Sequence, residues 1–157
     1  TCTAWNTYVL NPHGHDGSYR KGWQGGRQVK SFEVTLGPIE RPQIGWARVD
    51  GFNHDATVAE HRGVGEGDDY SIAWDRDRGG ITWCGGRRVA VDSGGMQEGA
   101  VVACEMTTTH FRWLLNGNEV ASVRRHDLGS IKSSDQRIFP AISGKGQWTV
   151  TQFTYKR

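Results

Sequence analysis

Two carboxylates placed two residues apart are a possible start for glycoside chemistry, and Glu66 and Asp68 stand so in the run Gly63-Val64-Gly65-Glu66-Gly67-Asp68-Asp69. On an extended segment they would share a face, as the acid and base of a jelly-roll glycosidase do. Their neighbours are glycines, not alternating apolar residues, so the run predicts a bend instead of a catalytic strand. The same glycines could bring backbone N–H groups close to a phosphate. No Lys-Ser or Lys-Thr follows them, and the three acids would repel the anion. Asp75-Arg76-Asp77-Arg78-Gly79 has alternate acids of the calcium-loop kind without the closing Glu, and predicts a solvated turn.

His13, His15 and Asp16 offer three metal ligands in a short stretch, and His54, Asp55 and His61 offer three more. Neither group has a Cys or His partner at the spacing of a known zinc site, so both are expected to be polar loops. No Gly-x-Ser-x-Gly nucleophile elbow occurs. The expectation is therefore of no catalytic residues, no metal and no cofactor.

The elements that would position these residues are short and extended. Apolar residues recur at strand period, with no helical stripe. Strands are expected over Ala4–Val9, Gln28–Leu36, Gln43–Val49, Tyr70–Asp75, Gly80–Cys84, Arg87–Val91, Ala100–Met106, His110–Leu115, Glu119–Arg124, Arg137–Ser143 and Gln147–Tyr155. Asn116-Gly117 predicts a type I′ hairpin with Phe111, Trp113 and Leu115 on one face, and Gly85-Gly86 predicts a second two-residue turn. The chain of 157 residues suits one domain, and its 22 glycines suit many turns. Seven tryptophans are expected to anchor one core. Many short strands with Gly-rich turns imply an all-β, bent two-sheet antiparallel β-sandwich with Phe32, Val34, Trp46, Trp113, Leu115, Phe139 and Ile142 in its core. The stretch 50–69 has no strand pattern, and a loop of that length is more often functional than accidental.

Several segments together resemble the SPRY family of protein-interaction domains. They are Phe32-Glu33-Val34, Ile44-Gly45-Trp46-Ala47, the Gly65 to Asp69 run with Tyr70-Ser71 and Trp74-Asp75, Val101 to Cys104 after Gly99, the Phe111 to Gly117 hairpin, and Phe139-Pro140-Ala141-Ile142-Ser143. They follow the family's order over about 29–150. The Gly-Trp-Ala segment, the long loop and the Gly-x-Gly-Asp-Asp run are most similar to the subgroup that includes the first SPRY domain of ryanodine receptors. There are departures: Gly99-Ala100-Val101-Val102-Ala103-Cys104 replaces the family's Gly-Asp-Val-Ile-Gly-Cys, Met106-Thr107 replaces Leu-Asp, and Asp75-Arg76 replaces Asp-Gly. No N-terminal PRY segment is visible, so the bare SPRY form matches better, and 1–28 are an N-terminal extension or the first strands.

The resemblance implies a non-catalytic module that recognises a partner protein or extended peptide through loops at one rim. The candidate contacts are Phe52, Asn53, His54, Asp55, His61 and Arg62 in the long loop, with Arg76 and Arg78 in the turn after the Ser71 strand. The competing role for Phe52 is to pack the loop onto the sheet. An RNA-associated module is the second reading, resting on Arg87-Arg88, Arg124-Arg125-His126 and Lys132 with aromatic stacking, and a carbohydrate-active jelly roll is the third. A net charge of +2 with interspersed signs favours neither a committed nucleic-acid binder nor a membrane surface. No apolar run approaches the roughly 20 residues of a membrane span. Three cysteines without a paired motif, Cys2, Cys84 and Cys104, and no Asn-x-Ser/Thr sequon suggest a reducing, intracellular compartment. A start at Thr1 without Met suggests a piece of a larger protein. Oligomeric state is not indicated.

Overall fold

The computed structural model describes residues 2–10, 28–48, 51–52, 62–67, 69–93, 98–129, 131 and 137–155, with 2–5 as backbone only. Nine strands run through them: β1 Cys2–Val9, β2 Val29–Arg48, β3 Ser71–Asp75, β4 Gly80–Trp83, β5 Arg87–Val91, β6 Val101–Met106, β7 His110–Leu115, β8 Asn118–Arg124 and β9 Ile138–Tyr155. Single 3-10 turns follow β3 at Arg76–Arg78 and β8 at Arg125–Asp127. The described residues contain no α-helix, hence none long and apolar enough to cross a membrane. The fold is an all-β antiparallel sandwich.

Two of the strands differ from expectation in a way that defines the architecture. Gln28–Leu36 and Gln43–Val49 are halves of one strand, β2, and Arg137–Ser143 and Gln147–Tyr155 are halves of β9. Gly37-Pro38 and Gly144-Lys145-Gly146 have turn composition, yet β2 and β9 stay paired through the bend, with Ile39 opposite Gly146 and Glu40 opposite Lys145. The bend needs glycine at 146: its φ is 139°, and a Cβ there would lie 2.2 Å from the Pro38 carbonyl oxygen. Beyond the bend each half joins a different set of neighbours. The first half of β2 pairs with β6 and the end of β9; the second half pairs with β3 and the start of β9. One sheet is therefore β5-β4-β3-β2-β9-β1 and the other β8-β7-β6-β2-β9, with two bent strands common to both.

The two sheets close on one apolar core. Phe32 meets Trp46 edge-on at 5.1 Å, and Trp46 lies 6.1 Å from Phe111. Trp113 of β7 donates its indole N–H to the Ile44 carbonyl of β2 in the facing sheet at 2.9 Å. Of the seven core residues expected from sequence, Phe32, Val34, Trp46, Trp113 and Ile142 are buried in this core and Leu115 is partly buried against it, whereas Phe139 is buried on the outer face instead. Strand alternation sends Ile44, Trp46, Ile72, Trp74 and Ile81 into this core. Ala47, Ala73 and Ala141 face the other way and are buried too, in a second cluster with Phe52, Val64 and Phe139. Small side chains on that outer face let chain from the long loop lie directly on the sheet.

The Asn116-Gly117 turn has the positive φ angles expected of it, 48° and 88°. The other hairpin turns over three residues instead of two: Cys84, Gly85 and Gly86 all have positive φ, and Trp83 pairs with Arg87. Cys84 thus leaves β4 and is exposed, whereas Cys104 is buried, and both are free thiols. Burial, reinforced by the neighbouring Glu105 charge, pushes the Cys104 thiol well above its usual range. An alkylating reagent is expected to modify Cys84 rapidly in the native protein and Cys104 only after denaturation. Equal native rates at the two sites, followed by peptide mass spectrometry, would contradict this burial.

Candidate functional site: a polar latch under the long loop

Gly63-Val64-Gly65-Glu66 lies on the outer face of the β5-β4-β3-β2-β9-β1 sheet, fastened by side chains from three strands. Ser143 of β9 accepts from the Val64 N–H at 3.1 Å, and Ser71 of β3 accepts from the Gly65 N–H at 2.7 Å. Glu66 folds back to accept from the Gly63 N–H at 3.1 Å, while its own N–H bonds the Gly63 carbonyl. These four amides are consumed within the protein, so the segment is not a phosphate cradle. Glycine is required at 63, where a Cβ would fall 1.6 Å from Gln43 Oε1.

Behind the loop the bonds continue as a buried chain. Ser143 Oγ donates to Gln43 Oε1 at 2.6 Å, and Gln43 Nε2 donates to Asp75 Oδ2 at 2.9 Å. Asp75 Oδ1 caps the 3-10 turn by accepting from the Asp77 and Arg78 N–H groups. The Arg78 guanidinium closes the circuit, bonding Asp75 at 3.1 Å and Glu66 at 2.7 Å, with Arg41 adding a second cation 3.3 Å from Glu66. The solvated turn expected at 75–79 is thus corrected at its first residue: Asp75 is 2% exposed and holds the turn to the sheet. Arg76 turns away, donating to the Ile39 carbonyl at 3.1 Å and lying 3.5 Å from Asp77.

Burial alone would raise the Glu66 pKa, but the Gly63 N–H, the Arg78 hydrogen bond and the charges of Arg41 and Arg78 outweigh it and hold the carboxyl below its usual 4.5. Burial would likewise lower Arg78, and its bonds to Glu66 and Asp75 raise it instead. A carboxylate held in this way is ionised near neutral pH. Since its folded pKa lies below the unfolded one, its stabilisation is complete above about pH 4.5 and disappears as pH falls through the folded value. Glu66→Gln is expected to flatten the acid side of the stability profile and leave its alkaline side shaped as before. Parallel acid limbs for the two proteins in urea titrations would show that Glu66 is not the group responsible.

Of the partner contacts expected from sequence, Arg62 is exposed beside Gly63, and Arg78 is brought to the loop by Glu66. Phe52 is a correction: it is 3% exposed in the outer-face cluster, so it fixes the loop and offers nothing to a partner. Phe52 and Val64, near the two described ends of the 50–69 stretch, pack on the outer sheet face. Asn53, His54, Asp55 and His61 lie outside the described residues, as do Asp68, His13, His15 and Asp16. Among the described residues no three His, Cys, Asp or Glu side chains are grouped to hold a metal ion. Sequence reasoning passed over Arg41, Gln43, Ser71 and Ser143. A signal existed in the last three: each is a polar residue within or next to an otherwise apolar strand run, which in a buried strand implies a hydrogen-bonding duty. No protein-family model matches the chain, and no curated protein matches its sequence.

Proposed function

We propose that the chain is a SPRY-type recognition module that binds a partner protein or extended peptide through the latched loop and the arginines around it, and carries out no catalysis. The observation that carries this reading is the latch itself. A long segment without strand pattern is bonded at its 62–66 end to β2, β3 and β9, and seated at its 52 end by Phe52. Ends fixed in this way lower the conformational entropy that the stretch between them has to lose on binding, which favours recognition. The segments that resemble the SPRY family also meet here: Ile44 to Ala47, Gly65 to Tyr70, and Phe139 to Ser143 all border the latch. An exposed free thiol at Cys84 fits a reducing, intracellular setting.

The test is affinity capture from the native cell with the intact chain and with a variant in which His54, His61 and Arg62 are all Ala. The variant should unfold at the wild-type temperature and lose its partner by more than about 2 kcal/mol if these are anchor residues. Equal capture by both would place the binding face elsewhere, and no saturable polypeptide partner at all would overturn the recognition reading.

A further inference from the structure

The turn between β7 and β8 carries a reactive pair of residues that the latch does not use. Asn116-Gly117 is the one place in the chain where glycine follows asparagine. Leu115 is paired with Asn118, so these two residues alone close the loop, and both have positive φ, 48° and 88°. Residues 116–119 are all exposed, which sets the turn in water at the tip of its hairpin. Gly117 has no Cβ to crowd its amide nitrogen, and no backbone hydrogen bond among the described residues takes its N–H. That nitrogen is open to solvent and to the side chain before it.

The Asn116 amide is polarised from the other side. The Val101 N–H at the start of β6 donates to Asn116 Oδ1 at 3.0 Å, and the Asn116 N–H donates to the Val101 carbonyl at 2.9 Å. A donor on Oδ1 draws electron density from Cγ and stands where negative charge gathers when a nucleophile adds to that carbon. Ring closure needs Asn116 to rotate about ψ until Cγ reaches Gly117 N, and the exposed tip of a hairpin is where such excursions are most frequent. The other described asparagines lack this combination. Asn118 is as exposed, but it is followed by Glu119, which carries a side chain, and it already belongs to β8. Asn6 lies in β1 ahead of the β-branched Thr7, whose N–H is held by Asn6 Oδ1 itself at 2.7 Å.

We propose that Asn116 is a site of spontaneous covalent modification, deamidation through a cyclic imide, and that one of its products loosens the β7–β8 hairpin. A solvent base takes the Gly117 amide proton, the nitrogen adds to Asn116 Cγ, and the side-chain nitrogen leaves as ammonia. Water then opens the imide. Cleavage of the new bond between Gly117 N and Cγ leaves an ordinary aspartate at position 116. Cleavage at the original main-chain carbonyl leaves isoaspartate, with the chain routed through Cβ and Cγ. The net change is one water consumed and one ammonia released, with nothing oxidised or reduced. Aspartate keeps an acceptor for the Val101 N–H and tolerates positive φ, so it preserves the turn. Isoaspartate adds a methylene to a main-chain loop of two residues, which then no longer fits the pairing of Leu115 with Asn118. The disturbance reaches beyond the hairpin, because the Ser93 N–H and hydroxyl both donate to the Val120 carbonyl of β8. None of this depends on the loop surface proposed for recognition.

The test is incubation of the intact, folded chain in heavy-oxygen water at neutral pH and physiological temperature, followed by fragmentation mass spectrometry of the peptide that holds Asn116 and Asn118. Position 116 should take up one heavy oxygen from solvent, in two chromatographically separable forms, severalfold faster than Asn118 or Asn6. Asn116→Gln, which would have to close a larger ring, should lose the reaction. The isolated isoaspartate form should unfold at lower denaturant and exchange hydrogen faster at the Val120 and Ser93 amides, while Asn116→Asp should match the wild type in both. Labelling of Asn116 no faster than of Asn118, or labelling only after the chain is denatured, would overturn the site. An isoaspartate form with the wild-type midpoint and wild-type exchange would overturn its effect on the hairpin.

Discussion

Trp113→Ala is expected to lower the free energy of unfolding by about 3–5 kcal/mol, a large part of the roughly 5–15 kcal/mol that holds a domain of this size together. Trp113 is fully buried and sits where the two sheets face each other. Its truncation removes apolar volume from the cluster that both sheets share, whose Trp46 and Phe111 rings, themselves fully buried and 6.1 Å apart, are held by their own contacts. The indole N–H also bonds the Ile44 carbonyl across the core. Trp113→Phe keeps most of the volume and loses that bond, so it should cost about 1–2 kcal/mol, near the net value of one buried hydrogen bond plus a small cavity. The order Ala well above Phe, read from denaturant midpoints at constant slope, is what the packing requires. Equal midpoints for Trp113→Ala and the wild type would mean that the sheets do not meet through this side chain.

Legibility in the sequence followed the range of the interactions involved. Arg87–Val91 and His110–Leu115 have the bounds that their alternation implies, and Asn116-Gly117 makes the turn that its φ requirements imply, because those signals are local. The bends in β2 and β9 were not legible. Gly-Pro and Gly-x-Gly mark a turn locally, and only the partner strand, bending in step, keeps Ile39 paired with Gly146 between two shifts of register. The outer-face cluster was hidden for a related reason. Ala47, Ala73 and Ala141 look like neutral strand positions until Phe52 and Val64 are laid on them. Arg78 is joined to the loop through Glu66, twelve residues earlier, and to Asp75 in its own turn, and the bond to Glu66 depends on the tertiary fold.

The latch makes Asp75 the second position of large effect, and an unusual one in that Asn should serve little better than Ala. Asp75 uses both oxygens as acceptors: Oδ1 takes the N–H groups of Asp77 and Arg78, and Oδ2 takes Gln43 Nε2 and the Arg78 guanidinium. Asn has one acceptor oxygen, so whichever way its amide is turned an NH2 group faces donors. Asp75→Ala strips the cap from the 3-10 turn and leaves the buried Gln43 amide unbonded, whereas Arg78, at 43% side-chain exposure, recovers water and keeps Glu66. A lost cap is worth about 1 kcal/mol and an unsatisfied buried amide about 1–3 kcal/mol, which together predict a loss of about 2–4 kcal/mol. The effect should travel along the chain of bonds, since Gln43 orients Ser143 and Ser143 holds the Val64 N–H. Hydrogen exchange at the Val64 amide should accelerate in both variants by more than at the Trp113 amide, because the loop is released before the core opens. Variants within about 0.5 kcal/mol of the wild type, with Val64 exchanging as slowly as before, would show that the loop is held by Phe52 and Val64 packing alone.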